Sequence, residues 1–350
     1  MATARDVQLV AAVANKVINQ EGYAFDQIFG RIPLIKFLMI QDEKKLNKLR
    51  MNKRVRELDG GNEIEIPVEY IAGGTTDSFS GLDVITFQAQ EILTNVKYDW
   101  KNVVTTGVID NKDILKASGS DKKIASLVDQ HVHNWMKSMA TDLNTQLLAA
   151  SPGSTDFHSV TQLFPDDPTA SGIIGGVQQS SAINAWWRNR YTDSSATTYQ
   201  LLINEIVHLK NNIKGNINGD GPNLFLTDQY VYEYLEAYQM AKGTHTFADE
   251  GMKNLLNVED VGRLRGMTVL WDTVIESTVG SKSRAYMLNT DYLQVCVHKG
   301  RKFELSKPID MMVATQQDAT GWTIMLMGNL TCSNRNKQGV LFDIAQNITA

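Results

Sequence analysis

Cysteine is nearly absent: Cys296 and Cys332 are the two in 350 residues, far apart and not part of any C-x-x-C pair. That excludes a disulfide framework or a cysteine-based zinc site and points to a reducing compartment. A basic excess is also missing. The 34 Lys and Arg against 39 Asp and Glu give a net charge of −5, which excludes a whole-chain nucleic-acid binder. No long apolar run occurs; the longest, Ile32 to Ile40, is broken by Pro33 and Lys36 and is too short to span a bilayer. The first twenty residues carry Arg5, Asp6, Gln8, Asn15 and Lys16 where a signal peptide needs an apolar core. The expectation is a soluble protein made in a cytoplasm, with no membrane partner.

Catalytic signatures are missing as well. No G-x-x-x-x-G-K-[ST], G-x-S-x-G or H-E-x-x-H occurs, and no G-x-G-x-x-G lies between a strand and a helix. His131 and His133, two apart on a helix, point about 200° apart and cannot share a metal. Cys296 and His298 share a strand face but have no further ligands, so they read as core and surface. Asn216, Asn218, Asp220 and Gly221 copy half a calcium loop, but Thr227 stands where the closing Glu is needed. A turn is the better reading, and no catalytic, cofactor or metal residue is assigned. Trp186-Trp187-Arg188-Asn189-Arg190 could stack on a base or sugar, yet Trp and Arg are what protein interfaces favour. Trp186 and Trp187 are therefore candidates for contact between subunits.

What the chain does have is organised around one helix, 122–150. Its apolar residues Ile124, Leu127, Val128, Val132, Trp135, Met139, Leu143 and Leu147 keep helical spacing, and it would run roughly 40 Å. Before it, a basic run (Lys44, Lys45, Lys48, Arg50, Lys53, Arg54, Arg56) is either a solvated face or an electrostatic contact surface. After the Asp59-Gly60-Gly61 turn the period becomes two: Ile64, Ile66 and Val68 alternate with Glu63, Glu65 and Glu69. A glycine-rich tip around Asp77, Phe79 and Gly81 leads back through a second strand, 84–101, whose apolar phase slips as at a bulge. A two-stranded ribbon of this kind is marginal alone. The expectation is that another subunit covers it. Its carboxylates suit either a neighbour's basic surface or local pairing within one chain. A second region begins near Ile183, with helices at 196–212 and 228–238 flanking a strand at Asn223 to Leu226. Strands at 285–288, 293–297, 303–305 and 323–329 follow. This is an α+β chain whose final strands should pack back on the long helix.

Arm, long ribbon, spine helix, α/β insertion and closing strands form a layout that resembles the major capsid proteins of tailed bacteriophages, the Hong-Kong-97-type capsid fold. Asp291-Tyr292 to Leu305 and Trp322 to Val340 resemble its last peripheral strands, and Pro222 to Thr227 the central strand of its axial domain. The resemblance implies an N-terminal arm (1–59), an E-loop (60–108), a peripheral domain (109–170) with its spine helix, an axial domain (171–275) and closing peripheral strands (276–350). It implies a structural, non-enzymatic virion protein assembled in the bacterial cytoplasm. Such subunits form pentamers and hexamers of an icosahedral shell around double-stranded DNA, contacted non-specifically. Implied partners are a separate scaffolding protein, a portal protein and decoration proteins. The E-loop would lie across an adjacent subunit, with Phe79 as an apolar anchor. Asn62 to Val96 contains no lysine, so no isopeptide bond is expected at the loop tip. The alternatives are an encapsulin-type compartment, which the arm at 2–56 disfavours, and a soluble α+β enzyme using the Trp186 region.

Overall fold

The computed structural model describes residues 34, 38, 55–71, 73–74, 76, 78–81, 89–117, 121–170, 172–215, 219–241, 263–275, 282–312 and 316–349. In chain order the strands are β1 (Val55–Leu58), β2 (Ile64–Glu69), β3 (Leu93–Tyr98), β4 (Lys101–Asp110), β5 (Ile173–Ile174), β6 (Val177–Gln178), β7 (Arg190–Asp193) and β8 (Leu224–Thr227). They continue with β9 (Arg263–Leu264), β10 (Met267–Trp271), β11 (Lys282–Leu288), β12 (Leu293–Leu305), β13 (Ile309–Asp310), β14 (Ala319–Cys332) and β15 (Gly339–Ala345). The helices are α1 (Asn111–Ala117), α2 (Asp121–Leu148), α3 (Val160–Leu163), α4 (Tyr199–Lys214) and α5 (Gln229–Ala241).

The spine helix α2 forms where its periodicity places it, burying Val128, Val132, Met139, Leu143 and Leu147. It lies on a sheet in which β14 pairs with β12 on one side and with β4 on the other. β4 alternates cleanly: Val103, Gly107 and Ile109 face inward, while Asn102, Val104, Thr106 and Val108 are exposed. The register sets Gly107 opposite Trp322, and Trp135 of α2 comes down over that pair, 5.9 Å from the Trp322 ring. A Cβ at residue 107 would stand 2.0 Å from the Trp135 ring, so a missing side chain is what lets helix and sheet approach. The expected packing of Trp135 on the closing strands is therefore observed.

The closing strands do not all go to that sheet. β12, β13 and β14 do, but β11 and β15 join a second sheet ordered β7-β15-β11-β8-β10-β9. Adjacent residues along its strands serve different cores. Phe225, Met287 and Leu341 pack with α4 and α5, while Leu224, Leu226, Tyr286 and Val340 belong to the core that holds α2. A strand buried on both faces reads as a continuous apolar run, which explains Leu224-Phe225-Leu226. This sheet is the wall common to both cores, so β11 and β15 turn one side to the core of α2 and the other to α4 and α5.

The ribbon's return strand, expected over 84–101, pairs with β2 as far as Tyr98, and from Lys101 the chain pairs along the whole of β4 with β14. Between β4 and α2 lies the short helix α1. Leu34 and Leu38, a helical four apart in the Ile32 to Ile40 run, are buried in the main core, so that run supplies core anchors and not only a peripheral arm. The remainder of that run and the side chain of His133 lie outside the described residues.

Gly107→Ala should lower stability by about 1–3 kcal/mol, the usual cost of an overpacked core. Urea unfolding measures this; a midpoint equal to that of the parent would contradict the close approach of Trp135.

Candidate assembly interface

The ribbon has two faces and two halves. In the β2–β3 register Ile64, Ile66, Val96 and Tyr98 share one face, while Glu65, Pro67, Glu69, Leu93, Asn95 and Lys97 share the other. Near the base the first set is fully covered by the chain itself, which corrects the expectation that another subunit must cover the ribbon throughout. Moving outward the cover ends. Ile71 is 49%, Phe79 66%, Ile92 38% and Leu93 57% exposed. The apolar surface left for a partner is thus the distal half.

Val96 and Tyr98 at the base are covered by the β5–β6 hairpin. Its turn is made by Gly175 and Gly176, with φ of 62° and 76°. A Cβ on Gly175 would lie 2.3 Å from Val96 Cγ1, so glycine is required both by conformation and by contact. Lys97 N donates to Gly175 O at 3.0 Å, tying the ribbon to the hairpin. The four residues at the corner between β3 and β4 are then fixed one by one. Tyr98 Oη donates to Cys332 O at 2.9 Å, and Asp99 O accepts from Asn329 Nδ2 at 2.8 Å. Trp100 Nε1 donates to Gly61 O at 3.0 Å, and Lys101 Nζ to Ser154 O at 2.7 Å. Burial raises the Tyr98 phenol well above its ordinary value, so it stays a neutral donor.

Behind the hairpin sits Arg335, wholly buried. Its guanidinium donates to Leu163 O, to Trp187 O at 3.0 Å, to Gln179 Oε1 at 2.5 Å and to Asn189 Oδ1 at 3.3 Å, with its carbon 5.6 Å from the Trp187 ring centre. These acceptors are neutral, and burial lowers the guanidinium to about 10, still charged at neutral pH. One side chain thereby joins α3, the hairpin strand end, the 182–187 turn and the loop before β15.

The candidate contact residues are placed as follows. Glu63 and Glu65 pair locally with Lys97 at 3.2 and 3.3 Å, hydrogen bonds that raise the Lys97 ammonium, Glu63 first. Local pairing, one of the two readings left open, is therefore realised for these two carboxylates, and exposed pairs of this kind add little. Glu69 and Gly81 are exposed, Glu69 on the outer ribbon face. Of the basic run, Arg56 is described, exposed on β1; Lys44, Lys45, Lys48, Arg50, Lys53, Arg54 and the tip residue Asp77 lie outside the described residues. Trp186 is half-buried and leans on Tyr70 of the ribbon, ring centres 5.5 Å apart. Trp187 is corrected: at 1% exposure, with its Nε1 donating to Ile174 O, it is a core anchor rather than a contact surface. Arg188 is committed to the carbonyls of Gln179, Ser180 and Ser181. Asp220, from the calcium-like stretch, accepts from Tyr292 Oη at 2.8 Å. Among the described residues no group of three metal-binding side chains forms.

Comparison with solved structures gives the fold its class. The chain matches one from the cyanophage A-1(L) capsid asymmetric unit with a TM-score of 0.59 at 13% identity, covering 89% of this chain and 93% of that one. It matches a chain from the capsid of the native GTA particle (0.53, 11%, covering 87% and 95%) and one from Mycobacterium phage Adephagia (0.52, 10%, covering 83% and 87%). No family model and no curated protein matches the chain by sequence. The chain thus has the α+β capsid fold of tailed phages.

Arg335→Met should destabilise the chain by at least about 3 kcal/mol, because each stranded buried acceptor costs roughly 1–3 kcal/mol. Arg335→Lys should rescue little, since an ammonium cannot span four acceptors held by a planar fork. Denaturant unfolding of both variants decides; a full rescue by lysine would contradict the role of the fork.

Proposed function

We propose that this chain is a structural major capsid protein, assembling through copies of itself into the pentamers and hexamers of an icosahedral shell around double-stranded DNA. The observation that carries this reading is the pairing of a capsid fold over nearly the whole chain with a ribbon rigidly anchored at its base and apolar at its uncovered end. Full burial of such side chains is worth roughly 1.5–3 kcal/mol each. A contact of that size is modest alone and becomes strong when every subunit is held by several neighbours. Head-to-tail placement of each distal ribbon on the next copy gives rings that close.

In this reading the ribbon, residues 60–100, is the E-loop, and the sheet carrying α2 is the peripheral domain. The second sheet with α4 and α5 is the axial domain. The role is structural, and neither catalysis nor a cofactor is assigned. A separate scaffolding protein, a portal protein and decoration proteins are the expected partners, with assembly in the host cytoplasm and residence in the virion. DNA is enclosed rather than read, which suits a subunit of net charge −5.

Expressed alone or with its scaffolding protein, the chain should form uniform closed particles by electron microscopy. Phe79→Asp, or deletion of 74–81, should leave folded, unassembled subunits with the circular dichroism of the parent. Normal particles from either variant would overturn the role given to the ribbon tip.

A further inference from the structure

At the ribbon's base lies a histidine that the assembly reading does not use. His158 follows the loop after α2 and is largely buried, its ring edge-on to Tyr98 at 5.7 Å. Its Nδ1 is 3.2 Å from Asn329 Nδ2. The orientation of Asn329 is fixed by its other bonds. Asn329 Oδ1 accepts from two backbone amides, His158 N at 2.9 Å and Leu330 N at 2.8 Å. Its Nδ2 must therefore be the donor, and it gives one hydrogen to Asp99 O at 2.8 Å and the other to His158 Nδ1. An Asn flip would set its amide hydrogens against two backbone N–H groups, so it offers no escape. His158 is held as the neutral imidazole protonated on Nε2, because a hydrogen on Nδ1 would face a donor.

We propose that His158 and Asn329 form an acid-sensitive latch on the ribbon: protonation of His158 displaces the Asn329 amide and frees the Asp99 corner where β3 passes into β4. The groups facing the imidazole agree with a neutral ring. Tyr98 is an uncharged phenol on β3, Asn329 is uncharged on β14, and at the corner the Lys101 cation opposes a second charge more than the Asp99 carboxylate favours it. Burial is the largest cause and, with Lys101, lowers His158 from its ordinary 6.5 to about 4. The direction of the effect follows. The latched state refuses a proton that the open state accepts below 6.5, so the latch is secure at neutral pH and weakens progressively as pH falls toward 4. Its consequence for a shell, a ribbon loosened by acid, rests on the assembly reading; the latch itself does not.

The test uses the full-length chain as free subunits, carrying Phe79→Asp if the parent assembles. Histidine ring NMR should give His158 a titration near 4, and Asn329→Asp should move it above 6.5, since the carboxylate then accepts the Nδ1 hydrogen while still receiving both backbone amides. Hydrogen exchange should show peptides spanning 98–101 losing protection between pH 7 and pH 4 in the parent and keeping it in His158→Phe, which cannot charge. A parent value near 6.5, an Asn329→Asp value that stays put or falls, or equal acid loosening in His158→Phe would each overturn the latch. If Asn329→Asp fails to fold, the comparison with His158→Phe decides alone.

Discussion

The Arg335 guanidinium, buried without a counter-charge and satisfied by neutral oxygens, is the constraint on which the rest of the molecule depends. A charge out of water is tolerated only when its donors are met, and meeting them requires Leu163, Gln179, Trp187 and Asn189 to converge. That convergence sets the 172–189 segment against the sheet bearing α2. With Gln179 and Trp187 in place, the hairpin turn at Gly175 is presented to Val96 and Tyr98, and its carbonyl holds the ribbon through Lys97 N.

A ribbon of two strands is unstable by itself, and here its stability is borrowed at one end. The buried half, with Ile64, Ile66, Val96 and Tyr98, makes the projection stiff. The exposed half, with Ile71, Phe79, Ile92 and Leu93, keeps apolar area in water that a folded monomer gains nothing from holding there. Stiffness matters because a preordered arm loses less entropy when it docks. The shared wall between the two cores ties the sheet carrying α2, which holds the ribbon's base, to the face packed by α4 and α5.

Much of this was legible in the residues. The spine helix, the strand-then-helix at Leu224 to Tyr238 capped by Asp228, and the alternation of Ile64, Ile66 and Val68 follow from periodicity and capping, which are local. That Gly175 packs against Val96 was not readable, because such a close approach is a long-range fact. Trp187 looked like a contact residue for the same reason: a tryptophan beside arginines has one local appearance whether it caps a buried guanidinium or faces a neighbour. Nothing near Arg335 marks it as buried, since a charged residue in a polar turn is ordinarily solvated. The transfer of the chain from ribbon to sheet between Tyr98 and Lys101 was not readable, because it depends on pairing with β14, far along the chain.

The central claim is that the distal ribbon is an interface left open by the monomer and closed by a second copy. Radical footprinting of free and assembled protein tests it most directly. The account predicts strong protection of Ile71, Phe79 and Leu93 on assembly, with Tyr98 equally shielded in both states. Distal side chains that remain as reactive in the assembled protein as in the free chain would contradict it.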